Sequence, residues 1–179
     1  MRDALKRVAT TLKTANVPFA LSGGYASWAR GGPEPDHDVD FVLLQEDVQH
    51  ALQVLQHAGL RAEDPPEDWL VKVFDGDVLI DLIFRPAERE VTRSQLERAE
   101  IMSVDSVLMP VQSATDLLLG KILVFSEHYC DFSKLFPHVR ALREQVDWHE
   151  LRREVKASPF ARCFLALCEE LGLVPEGSG

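Results

Sequence analysis

Carboxylates interrupt two short β-rich segments, and this feature constrains the fold more than any other in the sequence. Asp38 and Asp40 open the first segment, which runs on to Leu43. Because successive side chains of a strand point to opposite faces, both carboxylates are expected on one face, with Val39 and Phe41 on the other. Two like charges on one face repel each other, and burial strengthens the repulsion. The pattern therefore predicts a cation beside this strand, the alternative being a solvated start of an ordinary strand.

A third carboxylate, Asp81, interrupts the apolar run 78–84, which follows an Asp-Gly hairpin signal at 75–76. An ionised carboxylate in such a run is costly unless it is paired or bound to a metal. Strand carboxylates are hard oxygen ligands of the kind that Mg²⁺ prefers. We therefore predict that Asp38, Asp40 and Asp81 converge on a magnesium site. The alternative for Asp81 is a buried side chain that is satisfied by an arginine or by backbone donors.

A Ser22-Gly23-Gly24 turn lies between a predicted strand at 19–21 and a predicted helix from Tyr25 to Arg30. Paired glycines let the backbone approach a phosphate closely, and the start of a helix offers amide donors to it. We expect the turn to bind a phosphate group, with help from the Ser22 hydroxyl. Arg30 is a further candidate phosphate ligand, the alternative being a surface arginine at the end of the helix.

The secondary-structure signals divide the chain into a mixed half and a helical half. Residues 1–110 are predicted to form an α/β (α+β) core with a small mixed β-sheet and flanking helices, and residues 111–179 a C-terminal helical subdomain. In the first half the predicted helices are 3–15, 25–30 and 46–58, and the predicted strands are 19–21, 39–44, 69–74 and 77–84. In the second half the predicted helical segments are 113–126, 131–145, 147–155 and 159–171.

Composition limits the partners and the compartment. The net charge of −10 over 179 residues opposes nonspecific binding of nucleic acid and favours cationic substrates, although a local basic strip could still bind RNA. The three cysteines include no C-x-x-C pair. Cys163 and Cys168 lie in an apolar helical stretch and are interpreted as reduced core residues, which suits the cytoplasm. We find no signal peptide, and no apolar run is long enough to span a membrane.

The order of these motifs resembles that of the DNA polymerase β-like nucleotidyltransferase superfamily. The resemblance spans residues 1–85 and rests on Ser22-Gly23-Gly24, Asp38-Val39-Asp40-Phe41 and Asp81. It implies transfer of a nucleoside monophosphate from an NTP to an acceptor hydroxyl, with release of pyrophosphate. It also implies that the three carboxylates are catalytic and hold two magnesium ions.

The helical half resembles the later motifs of AbiEii- and MenT-type toxin nucleotidyltransferases. The resemblance rests on Asp116-Leu-Leu-Leu-Gly-Lys121 and on His128-Tyr-Cys130-Asp131-Phe132. In that group a helix lysine contacts the triphosphate and a following aspartate completes the site, which implies these roles for Lys121 and Asp131. The alternative is a solvated lysine and an aspartate that caps the next helix. The sequence departs from the pattern at 128–130, where that group often has an arginine or a lysine.

Three kinds of acceptor or role follow from these patterns. The toxin resemblance implies transfer to RNA, most plausibly a tRNA 3′ end, and a cognate antitoxin protein. The acidity and the Gly-Gly-Tyr-Ala motif fit a small cationic acceptor such as an aminoglycoside. The third possibility is a non-catalytic nucleotide-binding module, against which the intact carboxylate set argues. A basic strip of Arg85, Arg89, Arg93 and Arg98 would favour RNA, whereas an acidic cleft would favour the small molecule.

Overall fold

The computed structural model describes residues 1–35, 38–63 and 68–174. Its helices are α1 (Arg2–Thr14), α2 (Gly23–Ala29), α3 (Val48–His57), α4 (Arg93–Glu97), α5 (Ala114–Leu123), α6 (Phe136–Leu142), α7 (Trp148–Glu154) and α8 (Pro159–Glu170). Its strands are β1 (Phe19–Leu21), β2 (Val39–Leu43), β3 (Arg61–Glu63), β4 (Leu70–Asp75), β5 (Val78–Ile83), β6 (Glu100–Val104) and β7 (Val107–Val111). Short 3₁₀ turns precede α3 and α6.

The strands form one seven-stranded mixed sheet in the order β3-β4-β5-β2-β1-β7-β6. Strand β2 lies near the middle, antiparallel to β1 and parallel to β5. Strand β7 returns parallel to β1 at the other side. The predicted mixed sheet with flanking helices is confirmed, and its central strand β2 carries Asp40.

The two faces of β2 differ as the alternation of its sequence predicts. Val39, Phe41 and Leu43 are fully buried, and their face packs against the apolar sides of α1 and α3 in the main core. The opposite face carries Asp40 and Val42. Val42 packs with Ala20, Leu44 and Val91 in a small separate apolar cluster. The main core therefore fixes β2 from behind and leaves the carboxylate face open to a cleft.

The helical half has a core of its own. Helices α5 to α8 bury Leu118, Ile122 and Phe164, and the Phe164 ring contacts those of Phe125 and Phe132 with centroids 5.4 and 5.1 Å apart. No helix of the described residues is long and apolar enough to cross a membrane. The change from sheet core to helical core falls near the predicted boundary at 110/111, which we retain as a proposed division.

Several elements differ from the sequence-based expectations. Strands β3, β6 and β7 and helix α4 were not predicted. Strands β6 and β7 meet at Asp105 and Ser106, whose φ angles of 47° and 70° give a tight turn without the usual Asn-Gly signal. The interpretation of Cys163 as a core residue is wrong. Cys163 is exposed and Cys168 is buried, because a spacing of five puts the two on different faces of α8.

Candidate active site

Two carboxylates lie side by side on the open face of the sheet. Asp40 of β2 and Asp81 of β5 are direct register partners in the parallel pair, on strands spaced about 4.8 Å apart. Both residues are half-buried. Asp38 precedes β2 and is exposed. The parallel pairing of β2 with β5 thus brings together two residues that are distant in the sequence.

The surroundings of Asp40 disfavour its ionised form unless a cation binds nearby. Burial raises the pKa of Asp40 to about 7, and the neighbouring charges of Asp81 and Asp38 act in the same direction. The positive charge of Lys121 and the backbone N–H of Gly24, which donates to the carboxylate, lower the pKa. An added cation would favour the ionised form of the whole group.

The donor set fits a magnesium ion that arrives with a nucleotide. In residues 1–35, 38–63 and 68–174 no group of three His, Cys, Asp or Glu side chains is arranged to hold a metal ion alone. Asp38 acts on Asp40 through its charge, and its convergence with the other two carboxylates on a metal stays a prediction. Asp40 and Asp81 remain paired, and Mg²⁺ commonly binds one or two carboxylates together with substrate phosphates.

The glycine turn is moulded around Asp40. The backbone N–H of Ser22 donates to the Asp40 carbonyl at 2.8 Å, so the turn is hydrogen-bonded to β2. Gly23 has a φ of +62°, and a Cβ added there would lie 1.7 Å from Asp40 Oδ2. Only glycine fits at this position, because a side chain would occupy the space of the carboxylate.

The other two predicted phosphate ligands of this region are engaged within the protein. The Ser22 hydroxyl donates to Gln112 Oε1 at 2.6 Å. Arg30 is buried and donates from Nε to the Gln112 carbonyl at 2.7 Å, and from its terminal nitrogens to Gln145 Oε1 at 3.2 Å and Glu100 Oε1 at 2.9 Å. These contacts give Arg30 a bracing role, and its contact with a phosphate stays a prediction.

Arg30→Met should destabilise the protein without weakening its use of nucleotide. The substitution leaves the buried Gln112 carbonyl without its donor, so we expect the free energy of unfolding to fall by about 2–3 kcal/mol. Urea unfolding and the KM for NTP would measure the two effects separately. Arg93→Met is the matched control, because Arg93 forms an exposed ion pair with Glu46. A raised KM at unchanged stability would restore Arg30 as a phosphate ligand.

Lys121 approaches the carboxylates from the helical half. It lies on α5, lines the same cleft as Asp40 and interacts electrostatically with that carboxylate. Burial lowers the pKa of Lys121, and the charge of Asp40 opposes that shift. Its ammonium group forms no direct ion pair with a carboxylate in the part of the chain that the structure describes. The geometry thus leaves a half-buried positive charge available to an anionic ligand.

Asp131 lines the cleft farther out and has a local structural role. It caps the 3₁₀ turn before α6 by accepting from the Ser133 N–H at 3.2 Å and the Ser133 hydroxyl at 2.6 Å. It is exposed and forms an ion pair with Lys134 at 3.6 Å. These contacts match the capping alternative, and a direct role in nucleotide binding stays a prediction.

Comparisons with known proteins establish the fold. No protein-family model matches the chain, and no curated protein matches its sequence. The crystal structure of ANT(2″)-Ia in complex with adenylyl-2″-tobramycin matches 93% of this chain and 97% of its own, with a TM-score of 0.65 at 14% identity. The lincomycin-bound lincosamide antibiotic adenylyltransferase LnuA matches 82% of this chain and 98% of its own, with a TM-score of 0.54 at 14% identity. The chain has the same fold as these two proteins.

The fold prediction is thereby confirmed, and the resemblance read from the glycine turn and the carboxylates is consistent with these structures. The likeness of the helical half to AbiEii- and MenT-type enzymes stays a prediction. Within the shared fold, the glycine turn, Asp40 and Lys121 all line one cleft of about 1600 Å³.

Carboxylates neutralise the arginines that were predicted to form a basic strip. Their ion-pair partners and distances are Asp68 for Arg85 (2.5 Å), Glu154 for Arg89 (2.5 Å), Glu46 for Arg93 (3.0 Å) and Asp116 for Arg98 (2.6 Å). Glu88 and Glu90 also line the cleft, and neither forms an ion pair with a described residue. The outer part of the cleft is therefore acidic rather than basic.

Three side chains at the site escaped the sequence analysis. Gln112 is buried, lines the cleft and accepts a hydrogen bond from the Ser22 hydroxyl. His138 also lines the cleft, and its Nδ1 lies 2.6 Å from the hydroxyl of Ser27. A polar residue directly after the apolar β7 was the one available signal for Gln112. Ser27 and His138 are far apart in the sequence and carried none.

Proposed function

We propose that this protein is a magnesium-dependent nucleotidyltransferase that moves a nucleoside monophosphate from an NTP to a hydroxyl of a small cationic acceptor. The observation that carries the proposal is the pairing of Asp40 with Asp81 on the open sheet face, with Lys121 facing Asp40 across the cleft. Carboxylates on one side and a half-buried ammonium on the other suit a magnesium-bound triphosphate.

In the proposed mechanism, different residues bind the phosphates, the metal and the acceptor. The Gly23-Gly24 turn and Lys121 hold the phosphates. Asp40 and Asp81 would hold magnesium, with Asp38 contributing charge from the edge, and the bound metal would stabilise negative charge on the entering and leaving oxygens. Asp81 orients the acceptor hydroxyl. Asp40, on the strand between β5 and β1, lies between Asp81 and the glycine turn.

The charge of the cleft supports a small cationic acceptor. RNA binding depends on basic side chains that neutralise phosphates, and here Arg85, Arg89 and Arg98 are already neutralised by carboxylates. Glu88 and Glu90 add negative charge at the same rim. The two similar structures named above hold an adenylylated aminoglycoside and a lincosamide, and the cleft has room for an acceptor of that size beside a nucleotide. Transfer to a tRNA end, and with it a toxin role and an antitoxin partner, remains the second prediction.

Labelled NTPs test the proposal directly. The purified protein would be incubated with each α-labelled NTP and Mg²⁺, together with either a panel of aminoglycosides and other polyamino alcohols or total tRNA. We expect a labelled small-molecule product and release of pyrophosphate. Label on tRNA alone would replace the small acceptor with RNA. If no NTP released pyrophosphate with any acceptor, the enzymatic proposal would be wrong.

Lys121→Ala should weaken the use of NTP by about 10- to 100-fold, because a charge-assisted hydrogen bond to phosphate is lost. Steady-state kinetics at varied NTP and at varied acceptor would locate the loss on the nucleotide. Lys134→Ala is the matched control, since Lys134 also lines the cleft but is 73% exposed and pairs with Asp131. If the two substitutions had equal effects, Lys121 would contribute only to the overall charge of the cleft and would not contact the phosphates directly.

A further inference from the structure

His138 occupies a defined position beside the proposed phosphate site. It lies on α6, lines the cleft and interacts electrostatically with Lys121. Its Nδ1 is 2.6 Å from the hydroxyl oxygen of Ser27 on α2. Ser27 follows Gly23 by one helical turn, so the anchored imidazole lies against the helix that begins at the glycine turn.

The hydrogen bond to Ser27 determines which ring nitrogen carries the proton. Ser27 is fully buried, and His138 Nδ1 is the one hydrogen-bond partner of its hydroxyl among the described residues. A buried hydroxyl that has one possible acceptor donates its proton to that acceptor. Nδ1 therefore accepts, and the proton of the neutral ring is on Nε2.

The surroundings also keep the ring neutral. Burial and the nearby charge of Lys121 lower the pKa of His138 to about 4. None of the hydrogen bonds in the described part of the chain involves Nε2. A side chain that lines the cleft near Lys121 thus has one ring nitrogen fixed in the protein and an N–H with no partner among the described residues.

We propose that His138 is a nucleotide-binding residue whose Nε2–H donates to the phosphate tail beside Lys121. The inference rests on the proposed function and deepens it. Lys121 supplies charge without a fixed direction, whereas the anchored ring supplies a directed donor. Ser27 acts through His138 as a positioning residue, because it sets the tautomer and the orientation of the ring.

Binding of magnesium pyrophosphate and magnesium tripolyphosphate, measured by calorimetry, tests this role without depending on the base or the acceptor. His138→Phe keeps a ring of similar size but removes the donor, and we expect the dissociation constant for both probes to rise about tenfold or more. His138→Gln places an amide N–H near the position of Nε2 and should recover part of the affinity. Ser27→Ala should give an intermediate loss. A purely structural role of His138 would not produce this rescue by glutamine.

Nitrogen-15 NMR of the histidine ring provides the independent readout. We expect an unprotonated Nδ1 and a protonated Nε2 in the wild-type protein, and a change at Nε2 when tripolyphosphate is added. Unaltered affinity in a folded His138→Phe variant would overturn the inference and leave the proposed function standing, as would a proton on Nδ1. If the wild-type protein bound neither probe in the presence of Mg²⁺, the proposed function itself would be refuted.

Discussion

Asp40→Asn should lower kcat by about 10³-fold or more and at the same time stabilise the metal-free protein. The loss of activity follows because the carboxylate that faces both Asp81 and Lys121 is removed from the proposed metal site. The gain in stability follows because the folded state holds Asp40 with a pKa of about 7, well above its ordinary value. Ionising this side chain therefore opposes folding, and we expect the amide to add about 1–3 kcal/mol to the free energy of unfolding at pH 8.

The sign of the pH dependence gives a second check on Asp40. Because the pKa of Asp40 is raised to about 7 in the folded state, ionisation of this side chain lowers the stability of the wild-type protein only above the unfolded pKa near 4. The loss of stability grows as the pH rises from about 4 to about 7 and is complete above that. The difference in stability between variant and wild type should therefore shrink as the pH falls from 8 to 5. Asp77→Asn, on the exposed hairpin turn, is the control and should change neither activity nor stability. Near-normal activity of Asp40→Asn would remove the proposed mechanism.

Gly23→Ala should lower both stability and activity, the latter by about 10²-fold. The new Cβ would lie 1.7 Å from Asp40 Oδ2, so the turn or the carboxylate must move. A displacement of this size at reacting groups costs about two orders of magnitude in rate. The left-handed backbone at Gly23, with its φ of +62°, adds about 1–2 kcal/mol of strain in the folded state. Thermal unfolding and kcat/KM would report the two effects.

Gly76→Ala separates the backbone strain from the collision with Asp40. Gly76 has the same φ of +62°, and a Cβ there would meet nothing within 4 Å. We expect Gly76→Ala to lose stability alone, with kcat/KM unchanged. Equal stability losses and intact activity in both variants would mean that a side chain at position 23 does not displace the carboxylate of Asp40.

The parts of the site that could be predicted are those encoded by neighbouring residues. The alternation around Asp40 and the Asp-Gly signal before Asp81 are local, and the structure reproduces both. The role of Arg30 could not be predicted, because its partners Gln112 and Gln145 come from distant parts of the chain. The same holds for His138, whose anchor is on α2.

Strands β6 and β7 escaped prediction for a different reason. They meet at a turn of Asp105 and Ser106. Both residues have the positive φ that the turn requires, but their sequence lacks the glycine that normally signals it. The alternation predicts that Asp38 shares the face of Asp40, but it does not give the residue at which the strand begins. Asp38 lies one residue before β2 and is exposed.

The bracing of α2 has a consequence for when the protein can become active during its synthesis. Ser27 and Arg30 secure the helix that starts at the glycine turn. Ser27 is hydrogen-bonded to His138, and Arg30 both donates to and accepts from the side chain of Gln145. A nascent chain that has emerged only as far as β7 already contains the whole sheet with Asp38, Asp40 and Asp81, and its glycine turn can hydrogen-bond to β2. It still lacks Lys121, His138 and Gln145, so the contacts that α2 receives from the helical half are missing. On the proposed mechanism, we therefore expect such a chain to be unable to use NTP until the later helices have been made.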